Sequence, residues 1–151
     1  MTGLSIRSRA PAASSQTVRK VMVANRGVNT SPERLLQSAL SRAGLTFRQN
    51  VRPIATVRCA ADIVFRKHRV CIFVDGCFWH GCPRHFECPK TNASWWREKI
   101  EANRIRDRQQ SALLRAAGWK VVRVWEHDIN PKNVSAILNR ILVQVKRPRS
   151  T

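Results

Sequence analysis

Apolar positions recur along this chain with two different periods, and the switches between them set out the expected elements. Ser31, Pro32 and Glu33 precede Leu35, Leu36, Ala39 and Leu40, and Gly44 follows. That order predicts a helix capped by a hydroxyl, opened by proline and ended by glycine. A less marked helical segment covers residues 17–24, with Gly27 after it, and residues 45–51 read as a strand. Two runs rich in β-branched and aromatic residues, 60–65 and 70–74, flank a basic turn and predict a hairpin. After Gly76 the periodicity gives way to a loop rich in Cys, His and Pro that ends near Pro89. Asn92 is the expected cap of a long helix to residue 117, stopped by Gly118. Residues 119–125 read as another strand, and Asn130 and Pro131 open a last helix carrying Val134, Ile137, Ile141 and Leu142. The order α–α–β–β–β–loop–α–β–α packs most simply as an α/β fold, one mixed sheet with helices on both faces. No repeat is visible, so residues 17–146 are expected to form a single domain between a flexible basic tail, 1–16, and a basic C-terminal tail, 147–151.

At 151 residues with 43% hydrophobic content the chain can bury one core. No apolar run approaches the ~18 residues of a membrane span. Residues 1–16 lack the apolar centre of a secretory signal. A mitochondrial transit peptide has a similar composition, although a polar tail is the simpler expectation.

Charge changes the picture more than size does. Lys and Arg number 28 against nine Asp and Glu, a formal net charge of +19. Such a surface calls for a polyanion, and nucleic acid is the commonest one. Charge alone does not separate an enzyme from a ribosomal-type binding protein. The five cysteines are an odd number without an export signal, which favours reduced thiols and metal ligation over disulfides. Cys59 and Cys71, among strand-like residues, are expected to be buried small hydrophobes.

Cys77, Cys82 and His85 form a C-x4-C-x2-H cluster, and His127 falls just past the last strand. Cys2His2 is a standard tetrahedral zinc set, and such an ion would order a loop too poor in apolar residues to order itself. Cys88 is a second choice of ligand, and thiols without metal beside a surface histidine remain the plain alternative. Asp62 interrupts an apolar strand and Asp75 closes its partner, positions where an unpaired carboxylate is costly. At 100° per residue Asp107 shares a stripe of the long helix with Trp96, Ile100, Asn103 and Leu114. Glu33 stands in a first helical turn, where the helix dipole alone could account for it. Gathered together, these acids would suit Mg²⁺ at a phosphodiester; apart, each could be a salt-bridge partner of the abundant arginines. His80 lies inside the cysteine cluster, either as a further zinc ligand or as a base toward water.

The stretches VCIFVDGCFWHGCPRH (70–85), KTNASWWREKIEANRIRDR (90–108) and GWKVVRVWEHDI (118–129) closely resemble the very short patch repair (Vsr) mismatch endonucleases. The resemblance implies a restriction-endonuclease-like fold of the PD-(D/E)xK type with a structural zinc site. It places Asp62 on the magnesium-binding aspartate and the Val74 carbonyl on a second Mg²⁺ ligand. His80 falls on the catalytic histidine, with Asp107 and Glu33 as supporting acids and Asp75 where some members carry histidine. Cys77, Cys82, His85 and His127 fall on the Zn²⁺ positions, with Cys and His exchanged at some. Phe78, Trp79 and Trp96 match the aromatic wedge pushed into DNA, although Trp96 could equally be core, and Met22 matches a residue probing the minor groove. Ala61 stands where proline often precedes the metal aspartate, and Val74 where threonine can occur.

The implied activity is a Mg²⁺-dependent nick in duplex DNA at a T·G mismatch, leaving a 5′-phosphate. Its implied setting is the bacterial cytoplasm, at the nucleoid. There a monomer would act after a DNA cytosine-5 methyltransferase and before a repair polymerase and ligase, with no membrane partner. Two rival readings are a nuclease of the same fold without mismatch preference, serving restriction or defence, and a non-catalytic zinc-containing DNA-binding module.

Overall fold

The computed structural model describes residues 30–146, so the expected helix at 17–24, both tails and Met22 lie outside the described residues. Four strands form one mixed sheet: β1 (Arg48–Val51), β2 (Ala61–Phe65), β3 (Val70–Asp75) and β4 (Lys120–Trp125), in the order β1-β2-β3-β4. β1, β2 and β3 are antiparallel neighbours, whereas β3 and β4 run parallel in the register Val70↔Lys120 to Asp75↔Trp125. A parallel pair needs a crossover connection, and the Cys/His loop followed by helix α2 (Ala93–Ala116) supplies it. Helix α1 (Ser31–Arg42) precedes the sheet and α3 (Val134–Lys146) follows it.

The pleat sends alternate side chains to opposite faces. Ile72 of β3 and Val122 and Val124 of β4 join Leu36 and Leu40 of α1 and Ile137, Ile141 and Val145 of α3 in one core cluster. Cys71, Phe73 and Val64 join Leu114 of α2 and Trp119 in a second. Helices therefore cover both faces, α1 and α3 on one side and α2 on the other.

Several local expectations shift. The cap of α1 is Thr30, whose carbonyl accepts the Arg34 N–H at 2.9 Å, and Ser31 already lies in the first turn. The ladder begins at Arg48, not at residue 45, although Leu45 and Phe47 still pack against the core. Asn92 precedes α2 in a left-handed conformation without a side-chain cap bond, its carbonyl accepting the Trp96 N–H at 3.1 Å. Asn130 caps through its side chain instead, Oδ1 accepting the N–H groups of Lys132 and Asn133. Cys71 is fully buried in β3, whereas Cys59 is half-buried in a loop and belongs to no strand.

Candidate active site

Past the paired register that ends at Ile63↔Ile72, the ends of β2 and β3 need other partners for their backbone. Asp62 supplies one: its Oδ2 accepts the Val74 N–H at 2.6 Å. That bond ties the aspartate to the strand whose Val74 lines a pocket of about 130 Å³. Lining it are Thr30, Glu33, Asp62, Val74, Gly76, Trp79, His80 and Glu126. α1 delivers Glu33 as a buried acid, and the Cys/His loop delivers His80. Burial pushes the Asp62 carboxyl up from 3.8 to about 6; the Val74 N–H opposes the rise, while the charges of Glu33 and Asp75 add to it. A half-buried Asp62 beside the buried Glu33 gathers negative charge in a hollow that a small divalent cation would relieve.

His80 is held from behind. Its Nδ1 lies 2.5 Å from Asp107 Oδ2 and 3.7 Å from Asp75 Oδ1. Asp107 comes from the middle of α2 and Asp75 from the end of β3. Burial opposes a charged imidazole here, but the Asp107 hydrogen bond and the two carboxylate charges outweigh it and raise the His80 pKa. With Nδ1–H donated to Asp107, the other ring nitrogen of the neutral form is the basic one. The two carboxylates share a cation that sequence reasoning missed. Arg123 of β4 donates from Nη1 to Asp75 Oδ1 at 2.7 Å and from Nε to Ser111 Oγ at 2.9 Å. Its Nη2 stands 3.8 Å from Asp107 Oδ1, and its guanidinium lies 4.5 Å above the Phe73 ring centroid. The signal was available: an arginine in the apolar run WKVVRVW must find an acid or reach solvent.

Beside this pocket stands a soft-ligand cluster. Ligand atoms of Cys77, Cys82, His85 and His127 all lie within 4.8 Å of one another. Cys77 Sγ is 3.2 Å from His127 Nδ1, and Cys82 Sγ is 3.7 Å from both His127 Nδ1 and His85 Nδ1. Tetrahedral zinc with bonds of about 2.3 Å to sulfur and 2.0 Å to nitrogen requires S···N edges of about 3.5 Å, so this donor set fits the ion. Asp128 Oδ1 lies 3.3 Å from His127 Nε2 and would orient that ring from outside. Burial, the Glu126 charge and Cys82 raise the Cys77 thiol, so a thiolate pair here needs a cation. Cys88 sits apart, its Sγ against the carbonyls of Pro89 and Ala93, and His80 faces the acids rather than the thiols.

The same loop carries the aromatics. Phe78 meets Trp79 and Trp96 edge-on with ring centroids 5.2 Å apart in both pairs, and it lies 5.7 Å from Phe86. Phe78 and Trp79 are half-buried, while Trp96 is buried as the floor beneath them. Among the described residues, then, the chain brings Asp62, Glu33, Val74 and His80 to one pocket and Asp75 and Asp107 behind the histidine. The four soft ligands form a second cluster, flanked by the aromatic group.

A family model described as DNA mismatch endonuclease Vsr matches residues 12–86. The chain is 42% identical over 122 residues to the type II nicking enzyme V.NaeI of Lentzea aerocolonigenes, covering 80% of this chain and 74% of that one. It is 40% identical over 114 residues to the type II nicking enzyme V.XorIIP of Xanthomonas oryzae pv. oryzae, covering 74% and 81%. With the DNA mismatch endonuclease Vsr of Escherichia coli K12 it shares 38% identity over 99 residues, 65% of this chain and 62% of that one. The chain therefore belongs to the Vsr family, and it is a DNA endonuclease.

Proposed function

We propose that this endonuclease nicks one strand of duplex DNA beside a T·G mismatch, depends on Mg²⁺, and adopts a zinc-stapled version of the restriction-endonuclease-like PD-(D/E)xK fold. The observation that carries the reading is the shared pocket, which Asp62, Glu33, Val74 and His80 line together. Asp62 and the Val74 carbonyl would hold the cation, which when bound supplies charge neutralisation at the scissile phosphate. Asp107 holds the Nδ1–H of His80, leaving its other ring nitrogen to take a proton from an attacking water. Water attack on phosphorus with cleavage of the P–O3′ bond and departure of the 3′-oxygen would leave a 5′-phosphate and a 3′-hydroxyl. Glu33 and Asp75 set the charge around these groups.

Phe78 and Trp79 would enter the duplex as the wedge, with Trp96 as the packed platform against which they lean. Separating a base step costs a few kcal/mol, least at a loosened mismatch, and aromatic faces offset it by stacking. Met22 is the minor-groove contact in this reading, and residues 17–146 act as one monomeric domain. Cys77, Cys82, His85 and His127 hold the structural zinc. The biological setting that follows is repair of deaminated 5-methylcytosine at the bacterial nucleoid. A cytosine-5 methyltransferase makes the vulnerable base, and a polymerase and ligase act after the nick.

A second reading is cleavage without mismatch preference in a restriction setting; it draws on relatives whose names say type II nicking enzyme and mention no mismatch. One assay separates them. Matched, T·G and other mismatched duplexes are incubated with Mg²⁺ and with EDTA. Nicking of the thymine strand of T·G duplex alone, abolished by EDTA, is expected. Equal nicking of matched duplex favours the second reading, and undiminished cleavage in EDTA overturns the Mg²⁺ assignment.

A further inference from the structure

Two carboxylates compete for one proton in this site. The single Nδ1–H of His80 lies between Asp107 Oδ2 at 2.5 Å and Asp75 Oδ1 at 3.7 Å. Both acids are negatively charged neighbours, and both reach the imidazole from the α2 side of the sheet. A ring turned to bring Nδ1 onto Asp75 would differ in orientation from the one held by Asp107, in which His80 lines the pocket with Asp62 and Val74. Something must decide between them.

The deciding contact is on the same oxygen that competes. Arg123 Nη1 donates to Asp75 Oδ1 at 2.7 Å, so the oxygen that could capture the imidazole already shares its charge with a guanidinium and is the weaker acceptor. The guanidinium is itself fixed on three sides: Nε donates to buried Ser111 Oγ at 2.9 Å, the plane lies 4.5 Å over Phe73, and Nη2 stands 3.8 Å from Asp107 Oδ1. The parallel β3–β4 register opposes the Cα atoms of Phe73 and Arg123, which puts the arginine one pleat repeat from Asp75. Lysine could neutralise Asp75 from this position, but it has no planar fork to hold Ser111 and both acids together.

We propose that Arg123 is a positioning residue of the nicking reaction: by occupying Asp75 Oδ1 it assigns the His80 Nδ1–H to Asp107 and so fixes the imidazole toward the pocket. The inference rests on the reading of His80 as the base.

The test is a mutant cycle on the full chain, nicking T·G duplex with Mg²⁺ under saturating and limiting DNA. Arg123→Met leaves Asp75 to compete for the histidine, and kcat is expected to fall by ~100-fold, the scale of a misaligned reacting group, with KM unchanged. Asp75→Asn in the Arg123→Met background removes the competitor, and kcat should return to within ~10-fold of wild type. A hydrogen-bonded imidazole proton resonance, identified by its loss in His80→Ala and in Asp107→Asn, should weaken in Arg123→Met and return in the double variant. Should Arg123→Met fail to fold, Arg123→Lys takes its place, with an expected kcat loss of ~10-fold at constant KM. A folded Arg123→Met or Arg123→Lys with wild-type kcat overturns the proposal, as does a double variant as inactive as Arg123→Met. His80→Ala separates the two levels: if it nicks like wild type, the base assignment is what fails. If it is inactive while Arg123→Met is not, only the role of Arg123 fails.

Discussion

At the scale of single residues, the pocket holds a conflict between stability and chemistry, and Asp62 is where it can be measured. Its carboxyl titrates near pH 6 in the folded chain and near 3.8 when exposed, with burial as the main cause. Between those values the native state binds more protons than the unfolded state, so this group lowers stability as pH rises from 3.8 to 6 and holds that penalty above it. The full penalty is at most about 3 kcal/mol. Asp62→Asn removes the charge, while an amide oxygen can still accept the Val74 N–H. Thermal melts in EDTA should therefore show the variant more stable than wild type at pH 7.5 and equal to it near pH 3.5. Added Mg²⁺ should raise the wild-type melting point at pH 7.5 and leave the variant unmoved, while nicking by the variant falls at least ~100-fold. A variant less stable at neutral pH would show that the ionised Asp62 is satisfied by the protein alone.

Elements matter here mainly through how the Cys/His loop is pinned to α2. Asn103 donates to the Trp79 carbonyl at 2.9 Å, and Arg104 reaches the Gly81 carbonyl. At Gly81 the backbone is left-handed, with φ +62°, and a Cβ would come 2.7 Å from both Arg104 Nε and Ile100 Cγ2. Gly81→Ala thus combines strain with a close approach, and a loss of about 1–3 kcal/mol is expected. Because the loop carries three soft ligands, the same change should weaken zinc retention against a chromophoric chelator. Retention like wild type would mean that the ligands do not depend on this docking. The long elements could be read from sequence because apolar positions recur across them, Trp96, Ile100 and Leu114 along α2 and the run from Val70 to Val74 in β3, and because Gly44 and Gly118 end helices where the chain must turn. The hairpin of β2 and β3 was legible for the same reason, and Asp62 stood out because it breaks that pattern. Boundaries were less so: Thr30 and Ser31 can both cap, and only tertiary packing chooses. Arg123 was legible only as a charge out of place in an apolar run; its partners depend on a parallel register between strands nearly fifty residues apart, which no local period encodes. Trp96 shows the opposite difficulty, since a buried floor and an exposed wedge use the same aromatic side chain.

For the whole molecule, the distribution of charge sharpens what the net value of +19 says. Of the nine carboxylates, Glu33, Asp62 and Glu126 line the pocket and Asp75 and Asp107 stand behind its histidine, leaving Glu87, Glu98, Glu101 and Asp128 elsewhere. Most of the negative charge is therefore concentrated at one hollow of a strongly basic chain. A duplex is drawn to the surface by its backbone, yet on the proposed reading the scissile phosphate enters a pocket of its own sign, which a bound cation would reconcile. Two measurements follow from one binding experiment in EDTA with fluorescent T·G duplex. Affinity should fall steeply with KCl, with a log–log slope of about −5 if roughly six phosphates are contacted. At any single salt concentration Asp62→Asn should bind the duplex more tightly than wild type, because removing one negative charge lowers the repulsion at the pocket. Mg²⁺ should narrow that gap by neutralising the wild-type pocket. A slope shallower than about −2 would mean that the basic surface is not the docking face. Equal affinities in EDTA would place the scissile phosphate outside the acidic hollow in the bound state, with entry delayed until the cation arrives.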